Sequence, residues 1–201
     1  MELIKEIKQS KILRNVFIAL MGTVFLAISS KIKIPFYPVP MTMQTLVVLF
    51  LGITLGWKLG VATVALYLFE GVVGLPVFSG TPEKGVGIIY FTGPTMGYLI
   101  GFLATVFFSG FFNYNNNLFN KFFGSSSIHS KIIIFFSDFI KLSFAISFIY
   151  LFGMIWLGTI IGWNKPIYEI GAQPFLLAEL FKILIVLFSL SKLKKINQYL
   201  K

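Results

Sequence analysis

The chain contains no cysteine, so a disulfide framework and thiolate chemistry or ligation are both excluded. Histidine is nearly as scarce. His129 is the single one, which leaves little scope for a histidine-based metal site. It follows Ser125, Ser126 and Ser127 and reads as a solvated loop residue. Charge is thin as well: 12% of the 201 residues are charged, against about 25% in an average soluble domain. A soluble domain so poor in polar groups could not cover its own surface. There is no GxxxxGK[ST] stretch, so no phosphate-cradling loop for ATP. The few acids are not joined by a His, Cys or metal-type cluster, which argues against a membrane enzyme. No ring of like charges or filter-like motif speaks for a channel.

Apolar residues fill the gap. Hydrophobic side chains make up 57% of the chain, 24 residues are Phe, and the mean hydropathy is +0.87. Lipid is the natural solvent for such a chain. A spanning helix needs roughly 20 mostly apolar residues, and the runs predict an all-α integral membrane protein of six transmembrane helices. They form a single transmembrane domain over 1–201, with helices near 12–30, 41–56, 59–75, 94–112, 132–161 and 169–190. The second run is slightly short. The fifth, counted from Lys131, is too long for one perpendicular span and must tilt, break or include an interfacial piece. The start, Met1 to Arg14, carries charges of both signs and no small-residue cleavage site. It reads as retained, with the first run kept as a helix.

The connections differ in character. Residues 31–40 carry Pro35, Pro38 and Pro40, which forbid helix and favour a stiff extended segment. Trp57 and Lys58 suit an interfacial turn. Residues 76–93 are rich in Gly, Pro, Ser and Thr and read as a long loop with tight turns. Residues 113–130 form a polar loop, and a basic tail follows the last run.

The net charge of +10 would suggest nucleic acid in a soluble protein. Here the basic residues sit mostly in short loops and tails, so membrane topology explains them better. With both termini cytoplasmic, Lys and Arg at 5, 8, 11, 14, 58, 121, 131, 192, 194, 195 and 201 lie inside, and those at 31, 33, 84 and 165 outside. Eleven against four follows the positive-inside rule. The irregular loops at 31–40, 76–93 and 162–168 then gather on the outer face, where loops on a rigid scaffold hold binding residues.

Two charge pairs fall within the runs. An intramembrane charge costs at least about 2.5–3.5 kcal/mol, so it normally faces a cavity or a partner. Glu179 and Lys182 are three apart and share a helix face. They sit deep in the sixth run, as an internal salt bridge or as a recognition site. Such bridges often fail to repay their desolvation, which favours a functional role. Together they offer donors and acceptors suited to a polar neutral group such as a cyclic urea, or to a ligand carboxylate held on the lysine. Asp138 and Lys141 lie nearer an interface, where the lysine can snorkel, and suit structure or partner contact. Phe78, Tyr90, Phe91 and Tyr98 could wall an apolar ligand body, or simply meet lipid and interface. Ala19, Thr23 and Ala27 recur every four residues on one face of the first run. That small-residue face would let a helix approach closely, within this chain or from a partner.

Several stretches resemble one family. Pro38-Val-Pro-Met-Thr-Met-Gln44-Thr-Leu is similar to the helix-two signature of the BioY proteins, the biotin-specific S components of energy-coupling factor transporters. Gly74-Leu-Pro-Val-Phe78 is similar to the end of their helix three. Gly93-Pro-Thr-Met-Gly-Tyr-Leu-Ile-Gly-Phe102 is similar to their GPTGGYLxGF motif. Gly171-Ala-Gln-Pro-Phe175, followed by Glu179 and Lys182, is similar to their G-x-x-P-F…D-x-x-K motif. The likeness runs in order along nearly the whole chain.

The resemblance implies a six-helix S-component bundle in a bacterial-type cell membrane, with biotin as the transported ligand and no cofactor. It implies substrate contacts from Glu179, Lys182, Gln44, Phe78, Tyr98 and Thr95. It also implies a transmembrane coupling subunit meeting Ala19, Thr23 and Ala27, and two ATPase subunits to drive transport. Glu179 stands where the family usually has Asp, Met96 replaces a Gly, and Glu83 and Lys84 have no clear counterpart. An S component for another vitamin is the neighbouring alternative.

Overall fold

The computed structural model of the protein describes residues 2–34, 37–114 and 128–200. Its elements are α1 (Glu2–Lys31), β1 (Lys33–Ile34), β2 (Met41–Thr42), α2 (Gln44–Val72), α3 (Ile88–Phe91), α4 (Met96–Phe111), α5 (Ile128–Ile161), α6 (Ile167–Gly171) and α7 (Gln173–Leu200). Among the described residues, four helices contain stretches long and apolar enough to cross a membrane: Ser10–Lys31, Gln44–Val72, Ile132–Ile161 and Gln173–Leu200; α4 is apolar but shorter. Backbone polar groups have no water to bond in lipid, and helices satisfy them internally.

α2 is not one rod. Gly56 has φ 73° and ψ 168°, outside any helical region, and glycine reaches that conformation without a Cβ clash. The chain reverses there. Gln44 Nε2 donates to Tyr67 Oη at 2.7 Å. A methyl added at Gly60 would lie 3.5 Å from Gly52 Cα. Residues equally far from the bend face one another, so α2 is an antiparallel helical hairpin with limbs before and after Gly56.

Several boundaries depart from the sequence-based expectations. Met41 and Thr42 do not start a helix. They pair antiparallel with Lys33 and Ile34, and Met43 N donates to Ile32 O. This ladder satisfies backbone groups that the prolines keep out of a helix, so the bundle carries a small β-ribbon. Pro35 lies outside the described residues. The fifth run is one continuous helix, beginning at Ile128 and so taking His129 out of the expected loop. Residues 115–127 of that loop lie outside the described residues. The sixth run is split at Ala172, whose φ/ψ of −132°/−53° is non-helical. Pro174 then falls in the first turn of α7, where its missing N–H costs least. The basic tail is the end of α7, helical to Leu200.

Lipid tails are as apolar as leucine, so close backbone approach does much of the packing. A Cβ on Gly97 would lie 2.3 Å from Phe152 O, and one on Gly101 2.5 Å from Ile149 Cα. Thr105 adds a hydrogen bond across the same α4–α5 seam, from Oγ1 to Ala145 O at 2.8 Å. Ala19 and Thr23 face inward, 7% and 2% exposed, and a Cβ on neighbouring Gly22 would meet Thr63 of the hairpin. Ala27 is partly buried against the same core. The small-residue stripe therefore packs inside this chain. The exposed face of α1 is Ile12, Leu13, Val16, Phe17, Leu20, Val24, Phe25 and Ile28.

Candidate functional site

At the end of the bundle that carries the β-ribbon, α2, α4, α5 and α7 enclose a cavity of about 60 Å³. Gln44, Thr45, Thr95, Tyr98, Tyr150, Phe175 and Glu179 line it, together with Thr42 from the β-ribbon, Ser79 from the loop after the hairpin and Tyr90 from α3. A site for a drug-sized ligand is typically about 300–1,000 Å³, so this cavity is smaller than such a ligand needs. Tyr150 and Glu179 also border a larger lateral space of about 520 Å³ between α5 and α7.

The polar centre is the buried pair on α7. Lys182 Nζ lies 2.8 Å from Glu179 Oε1, with each side chain about one-twentieth exposed. An ammonium has three protons to give. Those of Lys182 go to Glu179 Oε1, Thr45 Oγ1 and the carbonyl of Thr42. Thr45 Oγ1 donates in turn to Glu179 Oε1 at 3.0 Å. Oε1 is thus doubly engaged, while Oε2 is buried and has no hydrogen-bond partner among the described residues. Tyr150 approaches the same carboxylate without a bond to Oε2 of acceptable geometry.

A second strand of hydrogen bonds leaves this centre. Thr42 Oγ1 donates to Gln44 Oε1, Gln44 Nε2 to Tyr67 Oη, and Tyr67 Oη to Val77 O at 2.9 Å. The anchor on α7 is therefore bonded through β2 and both limbs of α2 to the loop after the hairpin. In a low-dielectric interior every such group left unpaired would be costly.

Most residues singled out from sequence meet here, with two displaced. Glu179, Gln44, Thr95 and Tyr98 line the cavity. Lys182 stands behind the wall, because Thr42, Thr45 and Glu179 consume its protons. Phe78 is 1% exposed and also stands behind. Its ring lies 4.8 Å from that of Tyr90 and 5.2 Å from that of Tyr67, so it supports the wall. Phe91 flanks Phe78 in turn. Tyr98 is fixed by donating to Gly171 O at 2.8 Å, which ties α4 to α6.

Thr45, Tyr67, Ser79 and Tyr150 were not anticipated. Thr45 adjoins Gln44 in the helix-two stretch and could have been found there. The others are single polar residues in apolar or loop sequence, with no pattern to mark them. Asp138 and Lys141 form their own bridge, 3.1 Å, at the opposite end of the bundle, where Lys141 also donates to Asn113 O.

The chain is similar to known proteins over most of its length. The model of the BioY family matches residues 4–199. The chain is similar to a probable biotin transporter BioY of Lysinibacillus sphaericus, 32% identical over 86% of this chain and 82% of that one. It is similar to a probable biotin transporter BioY of Rickettsia prowazekii, 31% identical over 89% and 82%. Its fold is similar to the crystal structure of the S-component for biotin from an ECF-type ABC transporter, with a TM-score of 0.66 and 27% identity over 92% and 93% of the two chains. With the family model, the relatives and the fold all covering most of the chain, this membrane-embedded protein belongs to the BioY family.

Proposed function

We propose that this chain is the biotin-binding subunit of a biotin uptake transporter. It captures biotin at the outer face of a bacterial-type cell membrane and delivers it across with an ATP-driven coupling module. The observation that carries the reading is Glu179, a buried carboxylate with one oxygen fixed by Lys182 and Thr45 and the other unpartnered beside the cavity. Biotin's head is a cyclic urea, neutral and rich in N–H. An acceptor-only oxygen facing a neutral N–H donor is satisfied without burying a second charge. Gln44, Thr95 and Tyr98 complete the walls, Lys182 acts through Glu179, and Phe78 acts through Tyr90.

Six crossings follow when the two limbs of α2 count separately and α4 is added to α1, α5 and α7. The limbs and α4 are shorter than about 20 residues. The distribution of basic residues supports cytoplasmic termini and a site on the outer face. The chain has no ATP-binding loop, so a transmembrane coupling subunit and two ATPase subunits supply the energy. That arrangement is supported by the likeness to an S-component. The coupling subunit meets α1, whose exposed face is apolar and whose small-residue stripe becomes available if α1 separates from the hairpin.

Equilibrium binding of labelled biotin to the purified protein tests the reading. Saturable binding that falls sharply in Glu179→Gln supports it. Binding of a different vitamin in place of biotin would shift the ligand while keeping the fold.

A further inference from the structure

The loop after the hairpin is fastened in an unusual way. Lys31, the last residue of α1, donates to Pro76 O at 2.9 Å, Phe78 O at 2.9 Å and Thr81 Oγ1 at 3.0 Å. Ser30 Oγ donates to Val77 O at 2.8 Å, and Tyr90 Oη to Ser79 O at 2.8 Å. Burial holds the Tyr90 phenol above its ordinary range, so it stays protonated and remains a donor. Gly80, with φ +80°, lets the chain turn inside this clamp. Residues 76–81 are thus held at nearly every carbonyl by side chains from α1, α2 and α3.

Inside the clamp sits Ser79. It is 4% exposed and lines the cavity, and its hydroxyl has no hydrogen-bond partner among the described residues. Its backbone is fixed and its side chain is not engaged. Glu179 Oε2 is in the same condition and lines the same cavity. A buried polar atom without a partner is disfavoured and rare in native proteins. Two of them around one small cavity indicate that the missing partner is what the cavity receives.

We propose that Ser79 is a ligand-binding residue, its hydroxyl donating from the roof of the site to an acceptor oxygen of the bound molecule, with Lys31 as the positioning residue that holds it there. The inference rests on the biotin-binding reading for the identity of the ligand. Glu179 takes an N–H of the ligand from one wall and Ser79 takes a C=O or carboxylate oxygen from the roof.

The test pairs two measurements on Ser79→Ala in the full-length purified protein. Melting of the ligand-free protein should be unchanged or slightly raised, because the hydroxyl has nothing to lose. Biotin affinity should fall about 3- to 10-fold, as expected for one neutral hydrogen bond, through faster release. Lys31→Met should also speed release, while Lys31→Arg restores most of it. Because the chain has no native cysteine, Ser79→Cys gives a unique reporter. A maleimide should label it slowly in the Lys31 background and rapidly with Lys31→Met. Unchanged biotin affinity in Ser79→Ala, or a clear loss of ligand-free stability, overturns the proposal. Labelling rates unaffected by Lys31→Met overturn the role given to Lys31. If the unmodified protein binds no biotin, the functional reading fails first, and the melting and labelling arms still judge the clamp.

Discussion

Lys182 Nζ lies 2.8 Å from Glu179 Oε1 and 2.7 Å from the carbonyl of Thr42, so one ammonium joins the last helix to the β-ribbon before the hairpin. Removing it leaves a carboxylate buried with one hydrogen bond. Breaking a buried pair this way typically costs about 3–5 kcal/mol. Lys182→Met is expected to lower the melting temperature markedly and to abolish biotin binding. The double variant Glu179→Gln/Lys182→Met, which buries no net charge, should recover most of the stability and none of the binding. Thermal unfolding and ligand binding on the three proteins check this.

Tyr67→Phe removes one hydroxyl that both accepts from Gln44 and donates to Val77 O. Gln44 Nε2 then loses its partner, at about 1–3 kcal/mol, while Val77 O keeps the bond from Ser30 Oγ. Stability should drop, and biotin affinity should fall less than in Glu179→Gln, because Tyr67 acts through Gln44. Melting curves and binding isotherms separate the two effects.

Much of this arrangement was legible before any coordinates. The apolar runs located the helices, though α1 begins ten residues before its run and α7 ends ten residues after its run, and the three-residue spacing of Glu179 and Lys182 paired them correctly. Gln44, Thr95 and Tyr98 came from the resemblance and do line one cavity. What escaped were long-range hydrogen bonds. Lys31 reads as an ordinary loop cation, yet the fold brings the carbonyls of residues 76–81 to it. Ala19 and Thr23 read equally well as a partner face or an internal seam, because a small residue looks the same from either side. Only the position of Thr63 and Gly22 decides where they pack. Lys182 reads as a ligand contact because nothing in sequence shows that Thr42 and Thr45 take its protons.

Gly97 and Gly56 differ in what a methyl would meet, and so should respond differently. At Gly97 a Cβ would lie 2.3 Å from Phe152 O and 2.4 Å from Trp156 Cβ, so Gly97→Ala forces α4 from α5. Overpacking of this kind costs about 1–3 kcal/mol, and the shift should reach the cavity through neighbouring Tyr98. At Gly56 the nearest atom is 3.8 Å away, and Gly56→Ala is penalised only by a backbone conformation (φ 73°, ψ 168°) essentially confined to glycine, about 1–3 kcal/mol. It lies at the end away from the site. Both variants should melt lower, and only Gly97→Ala should lose biotin affinity.

The proposed six-crossing topology makes a separate prediction from single cysteines in this cysteine-free chain. Lys84→Cys should react with an impermeant maleimide on intact cells, and Lys192→Cys only after permeabilisation. Labelling of both from outside would place the carboxyl terminus on the wrong face.

The central claim is that Glu179 Oε2 is the acceptor for biotin's urea. Titration of biotin into the purified protein and into Glu179→Gln tests it most directly. The account predicts one saturable site per chain in the unmodified protein. It predicts an affinity lower by roughly 10- to 100-fold in Glu179→Gln, the scale of a lost hydrogen bond to a charged group. No biotin binding by the unmodified protein, or equal affinity in the two, would contradict it.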